Sequence, residues 1–510
     1  MQDLVNKMQN KSFCYLANKT NSCQNAYMPK RLITSLIISA VTLGALFIAL
    51  VWVPAEAAYR SYSLNNYDLG IYGQALFQLS LQNPNPWLSV REINLFNDHL
   101  DPILFFLVPF KSLAHPATLL IRFEMLLALA TAGTFLMMAQ RRAITFATAT
   151  FMAAFILFNR ASLGAFAFPA HPGTWAILPL SWTCWFLWRE KWRAALLTFF
   201  FCLLCKEEYP VVGIAVGLSM IASGRRRPGA EFLAVSLLWA FLAFVLRPAL
   251  LGHSGQYADS AKQGSGLTYL LQWNSLREIA LWSIAWTLPL IPILALAWLT
   301  GIKADRKFLT RASLTKNAPV IAIFLALLAV RAVGGWWFSH RSVPLATVAA
   351  FLTIQLVPSY RYPRRSQNFT WAIAGILLAL TAHQSLRPAL RYWQGSSMAP
   401  HCPSQPSRIA SLDQAVASLL ARPEGKALVQ GNILPHLVER NAVHHLGAAA
   451  DGPESFQWLL VEKNNLGSMW PADTAFVENT VIKWRAISGV RAVMDDENVL
   501  ILERPDYRSL

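Results

Sequence analysis

Apolar residues arrive along this chain in blocks of about 15 to 25 residues between short runs of charge, the pattern of helices that cross a bilayer rather than helices with one wet face. The blocks lie near 32–53, 116–139, 143–158, 173–188, 193–205, 209–222, 230–250, 278–300, 318–335, 342–357 and 369–386. They predict about eleven transmembrane helices. Several fall short of the ~20 residues of a straight crossing. The pair within 193–222 therefore reads either as two spans or as one re-entrant hairpin.

Beyond 386 the pattern changes to alternating helical and strand-like pieces, from "RIASLDQAVASLL" (408–420) through "FQWLLVE" (456–462) to "VRAVMDDENVLILE" (490–503). The last reads as a hairpin turning at Asp495 to Asn498. The predicted fold class is an α-helical polytopic membrane protein with a small C-terminal α/β domain. Its divisions are a tail at 1–31, a transmembrane domain at 32–386 whose first long loop is 54–101, a proline- and serine-bearing linker at 387–407, and the α/β domain at 408–510. No internal repeat is found, which speaks against a transporter built from inverted repeats.

Composition agrees. Mean hydropathy is +0.37, and only 14% of residues are charged. The net charge of +17 would suit nucleic acid if it formed one stripe, but the basic residues sit in short clusters between apolar blocks, so no nucleic-acid partner is expected. The clusters instead give orientation. Lys30 and Arg31, Arg141 and Arg142, Arg189 to Arg193, Arg225 to Arg227, Lys303 to Lys316 and Arg361 to Arg365 occupy alternate loops, which are predicted to be cytoplasmic. The N-terminus is then cytoplasmic and the α/β domain extracytoplasmic. The first apolar block is as long as a full span and reads as retained rather than cleaved; Met28 leaves open where the chain starts. The six cysteines form neither a disulfide framework nor a zinc pattern.

In that orientation the unexplained polar residues collect on the outer side. Asp68, Asp98, His99 and Asp101 lie in the first outer loop, His171 in the second, Lys206, Glu207 and Glu208 at the tip of the 193–222 hairpin, and His340 and Arg341 in a later loop. Arg122, Glu124, Arg247 and Arg331 fall inside spans near their outer ends. Such groups mark a site or pathway, or anchor a helix end at the interface. "NYDLGIYGQALFQLS" predicts an interfacial helix with Asp68, Ile71, Tyr72 and Ala75 on one side. Asp68 reads either as a general base at the mouth of the bundle or as the helix's N-cap. Asp98, His99 and Asp101 would suit a divalent metal, or a cap ahead of Pro102.

"YDLGIYGQALFQLS", "FNDHLDPILFFLVPF", "AHPGTWAILPL", "LLCKEEYPVVG" and "GNILPHLVERNAVHHL" together resemble a family of bacterial polytopic membrane proteins, domain of unknown function 2079. That family is similar to the GT-C superfamily of membrane glycosyltransferases. The resemblance implies transfer of a sugar from a polyprenyl-phosphate carrier, on the outer face of a bacterial cytoplasmic membrane, to an acceptor it does not specify. It implies Asp68 as the base, with Glu207 or Glu208 as a second carboxylate. Asp98, His99, Asp101, His171, Lys206, Arg331, His340 and Arg341 would bind substrate. The chain departs from the paired acidic motif of mannosyltransferase-like members, having Asp68-Leu69 and then His99-Leu100-Asp101-Pro102. A lipid or solute transporter and a non-catalytic assembly or sensor protein are the alternatives; the scarcity of charge in the cytoplasmic halves of the spans favours the enzyme.

Overall fold

The computed structural model describes residues 30–252, 277, 287–295, 311–334, 339–356, 364–394, 405–447, 455–463 and 474–507, with 65, 142 and 293 excepted. The bundle opens with α1 (Lys30–Phe47), a π-helical turn (Ile48–Trp52) and α2 (Val53–Arg60). The first long loop folds into α3 (Tyr67–Gln78), the short antiparallel strands β1 (Trp87–Leu88) and β2 (Ile93–Asn94), and α4 (Leu95–Asp98). Then come α5 (Pro116–Gln140), α6 (Phe146–Phe158), α7 (Arg160–Phe166), α8 (Pro172–Trp175), α9 (Ile177–Trp188), α10 (Trp192–Cys205), α11 (Tyr209–Ala222) and α12 (Arg226–Phe241). A second π-helical turn (Leu242–Leu246) leads into α13 (Arg247–Leu251). α14 (Arg311–Gly334), α15 (Ser339–Leu356) and α16 (Arg364–Trp393) complete the described bundle.

Among the described residues three helices, Leu32–Arg60, Pro116–Gln140 and Arg226–Leu251, are long and apolar enough to cross a membrane. The pair α6 and α7, bent by 44°, makes up to four. The count of about eleven is thus not confirmed among the described residues, where four further apolar helices, Trp192–Cys205, Tyr209–Ala222, Ser342–Gln355 and Thr370–His383, are shorter than a full crossing. One reason is local: α6 ends at Phe158, where the block was expected to end, but starts only at Phe146, and Asn159 accepts from Ser162 N to cap the separate helix α7. Another is the break at 206–208, which leaves α10 and α11 short. The block at 278–300 lies mostly outside the described residues. α11 and α12 approach closely because Gly217 and Gly229 face each other, where a Cβ on Gly217 would stand 2.8 Å from the Gly229 carbonyl.

α16 continues to Trp393, into the stretch read as linker. The C-terminal domain contains α17 (Pro406–Leu420), β3 (Ala427–Val429), β4 (Val443–His445), β5 (Trp458–Glu462), α18 (Thr474–Arg485), β6 (Arg491–Asp495) and β7 (Val499–Glu503). Its sheet runs β4-β3-β5-β7-β6, with β3 parallel to both β4 and β5 and a β6–β7 hairpin antiparallel at the far edge. One face of the sheet is closed by Leu459, Trp484, Leu500 and Leu502. The other merges with the bundle: Leu434, Leu437, Val443 and Ile501 share one core with Leu69, Leu76 and Leu104. The domain is seated on the bundle, not hung from it.

Candidate active site

α3 carries the first candidate. Asn66 is its N-cap, accepting from Leu69 N at 3.0 Å, so Asp68 is free of capping and sits one position inside the first turn. The expected interfacial helix is instead enclosed, with Tyr67 and every residue from Leu69 to Leu76 buried. The reason is that α3 is covered on two sides. One packs on α5 and the other accepts the C-terminal domain at Gly70 and Gly73, where a Cβ would stand 2.6 Å from Leu434 Cδ2 and 2.9 Å from Val438 Cγ1.

His171 Nε2 donates to Asp68 Oδ2 at 2.8 Å. The turn that presents His171 is held in an unfavourable geometry, since Ala170 has φ +75°. Glu124, buried in α5, stabilises that turn by accepting from Ala170 N (2.8 Å), His171 N (3.2 Å) and Trp175 Nε1 (3.1 Å). Asn66 Nδ2 ties the same turn to α3 through the Pro169 carbonyl at 2.7 Å. Burial alone would raise the Asp68 pKa, but His171, Lys206 and His99 hold it below the usual aspartate range. The Asp68 side chain is 34% exposed, against 8% for His171.

Behind this pair lies a second. His99 Nδ1 donates to Glu207 Oε1 at 2.8 Å, and Leu100 N donates to Glu207 Oε2 at 3.2 Å. Glu207 is fully buried, which would raise its pKa, yet the charges of His99 and Lys206 bring it down to about 2. Asp101, also buried, is pushed up to about 7 by desolvation with Glu207 adding to it, against the opposing pull of His99, Tyr72 and Lys206. Lys206, partly exposed, thus acts on three carboxylates, and its stem lies along Gly173 beside His171. Tyr209, whose hydroxyl donates to the Gly173 carbonyl at 3.1 Å, pins the hairpin tip to the His171 turn.

The other candidates are placed apart. Asp98 pairs with Arg91 Nη2 at 3.2 Å. Glu208 is gripped by Arg331, Nη1 to Oε2 at 3.2 Å and Nη2 to Oε1 at 2.5 Å, with both side chains buried. Asp98 and His99 therefore turn to different partners, the buried oxygens of Asp101 accept from neither, and among the described residues no three His, Cys, Asp or Glu side chains converge as a metal site would require. Asp101 precedes the 3₁₀ helix Pro102–Phe110 but makes no capping bond. His340 and Arg341 lie near the start of α15, and their side chains are outside the described residues.

Sequence reasoning missed the C-terminal domain's part. The stretch 432–445 runs along the first loop. Asn432 Nδ2 and Arg408 Nη2 donate to the Tyr62 carbonyl, and Arg408 Nη1 to Ser61 O at 2.7 Å. His436 stacks between Tyr59 and Tyr62, its ring 4.2 Å and 4.0 Å from theirs, and burial brings its pKa down to about 3. Gln74 Nε2 donates to the Arg440 carbonyl at 3.2 Å, Ser89 Oγ to the Val443 carbonyl at 2.7 Å, and His444 faces Glu92 at 3.2 Å. Two glycines three apart beside Asp68 were the available signal of a close approach.

Apolar helices long enough to cross a bilayer, with an ionisable cluster on a loop helix that the C-terminal domain packs against, define a membrane protein with a compact polar cluster among its described residues. The family described as predicted membrane protein (DUF2079) matches residues 60–499, and the chain belongs to it. No curated protein matches the chain. Among solved structures, the arabinofuranosyltransferase AftD from mycobacteria is similar at 15% identity and a TM-score of 0.48. That match covers 94% of this chain and 42% of that one. The chain thus spans about two-fifths of that structure's length.

Proposed function

We propose that this protein is a membrane glycosyltransferase of the GT-C type, moving a sugar from a polyprenyl-phosphate donor to an acceptor hydroxyl on the outer face of the cytoplasmic membrane. The observation that carries the reading is the exposure of Asp68. It is the carboxylate of the cluster with one side open while the side behind it is bonded to His171. In this reaction the acceptor O–H proton passes to Asp68, the acceptor oxygen bonds to the anomeric carbon, and the bond from that carbon to the phosphate oxygen breaks. A weakly basic carboxylate suits such a step, because the hydroxyl becomes acidic only as the new bond forms to an oxocarbenium-like carbon. His171 keeps Asp68 ionised, and Lys206 offers charge to the departing polyprenyl phosphate. Glu207 and His99 fix the hairpin tip against the first loop, and Glu208 with Arg331 braces it from inside the bundle.

The test is sugar transfer from a polyprenyl-phosphate donor by the purified parent and by Asp68→Asn. Loss of turnover with retained donor binding supports the assignment. Near-parental turnover removes it.

A further inference from the structure

We propose that Arg247 anchors the phosphate of a membrane lipid at the rim of the first loop. Of the other buried arginines, two are paired with a carboxylate and one has its terminal nitrogens held by several carbonyls. Arg331 is bonded through two nitrogens to Glu208, Arg408 pairs with Glu462, and Arg440 donates to carbonyls that include Leu419 and Gly425. Arg247 is 7% exposed, and its one hydrogen bond among the described residues goes to a carbonyl, not a carboxylate. Its Nη1 makes one long contact with the Phe96 carbonyl at 3.4 Å, and its Nε is buried without an acceptor. A buried guanidinium left uncompensated is costly, and an anion is what compensates it.

The helix is built to aim Arg247 this way. The π-helical turn Leu242–Leu246 lies directly before it and shifts the register, so that Arg247 turns in toward α4. Its neighbours Phe244, Val245 and Leu250 stay exposed on the outside of the same helix. A planar fork of donors fits a phosphate, and the exposed apolar strip beside it fits the chain of a lipid. This site goes beyond the assignment of Asp68, borrowing from it only the choice of probe.

The experiment reads binding rather than turnover, so its failure is separate from that of the glycosyltransferase reading. Thermal unfolding of the full chain in detergent is followed with polyprenyl monophosphate, polyprenol, phosphatidylglycerol and inorganic phosphate. Polyprenyl monophosphate is expected to raise the melting temperature where polyprenol does not, with about ten-fold or more weaker binding in Arg247→Met. Without lipid, Arg247→Met is expected to melt no lower than the parent, because an unmatched buried charge has been replaced by an apolar chain of similar length. An Arg247-dependent shift from inorganic phosphate alone, or from phosphatidylglycerol alone, supports the same anchor with that source. A shift unchanged in Arg247→Met, or no stabilisation of the parent by any phosphate probe, overturns it. If Arg247→Met does not fold, Arg247→Lys decides: several-fold weaker binding supports the fork, and parental binding overturns it.

Discussion

Gly70 meets Leu434 so closely that a Cβ on it would stand 2.6 Å from Leu434 Cδ2 and 2.7 Å from Cγ. Leu434 is fully buried and cannot swing aside. The helix that carries Asp68 is therefore shaped to fit the C-terminal domain. Three residues on, Gly73 repeats the contact with Val438 on the same face.

Gly70→Ala separates packing from propensity. In an exposed helix the change would stabilise by about 1 kcal/mol. Here the forced shift of Leu434 should outweigh that and destabilise by about 1–3 kcal/mol. Thermal unfolding should show the loss, and adding Leu434→Ala should recover part of it despite the smaller core. A higher melting temperature for Gly70→Ala alone would mean that the domain does not press on α3.

Glu208 and Arg331 form a buried pair with both carboxylate oxygens engaged. Removing one charge is far more damaging than removing both. Glu208→Gln should cost about 3–5 kcal/mol, while Glu208→Met with Arg331→Met should come close to parental stability. If the single and double variants melt alike, the pair is not buried as described.

The residues of the site were legible because ionisable groups are expensive near a membrane, so Asp68, His99, His171 and Glu207 stood out against apolar surroundings. Their pairing was not. Asp68 and His171 are 103 positions apart, and His99 and Glu207 are 108 apart, and no local periodicity encodes such contacts. The β6–β7 hairpin could be read from its alternation around Asp495 to Asn498. Seating of the C-terminal domain could not, because it depends on backbone carbonyls at Ser61 and Tyr62, whose acceptor role leaves no mark in side-chain identity. The bend between α6 and α7 could not be read, because Asn159, which caps α7, is an ordinary polar residue in sequence.

Asp101 and Glu207 should give opposite pH dependences. Asp101 has a native pKa of about 7, above its usual 3.8. The native state then holds a proton that the unfolded chain has lost, so this contribution is full below about pH 4 and disappears as pH rises through about 7. Its upper limit is about 4 kcal/mol. Glu207 has a native pKa of about 2, below its usual 4.5, so its contribution is full above about pH 4.5 and is lost as pH falls toward 2. Melting temperatures measured from pH 4 to 8 should fall in the parent and fall less in Asp101→Asn. Parallel curves would show that Asp101 is not proton-bound in the folded state.

Asn66 and Asp68, two positions apart, should fail in opposite ways. Asn66 caps α3 and also holds the Pro169 carbonyl, so Asn66→Ala should lower stability by about 0.5–2 kcal/mol for the cap alone. Whatever protein remains folded should still present Asp68 to His171 and keep substantial turnover. Asp68→Asn removes no cap, since none is made, and the amide can still accept from His171 Nε2. It should melt close to the parent, yet lose on the order of 10²–10⁴ in transfer rate, because an amide cannot take the acceptor's proton. The paired measurement is melting temperature and turnover on both variants. If Asp68→Asn loses stability in proportion to activity, the carboxylate is a structural partner of His171 and the base lies elsewhere.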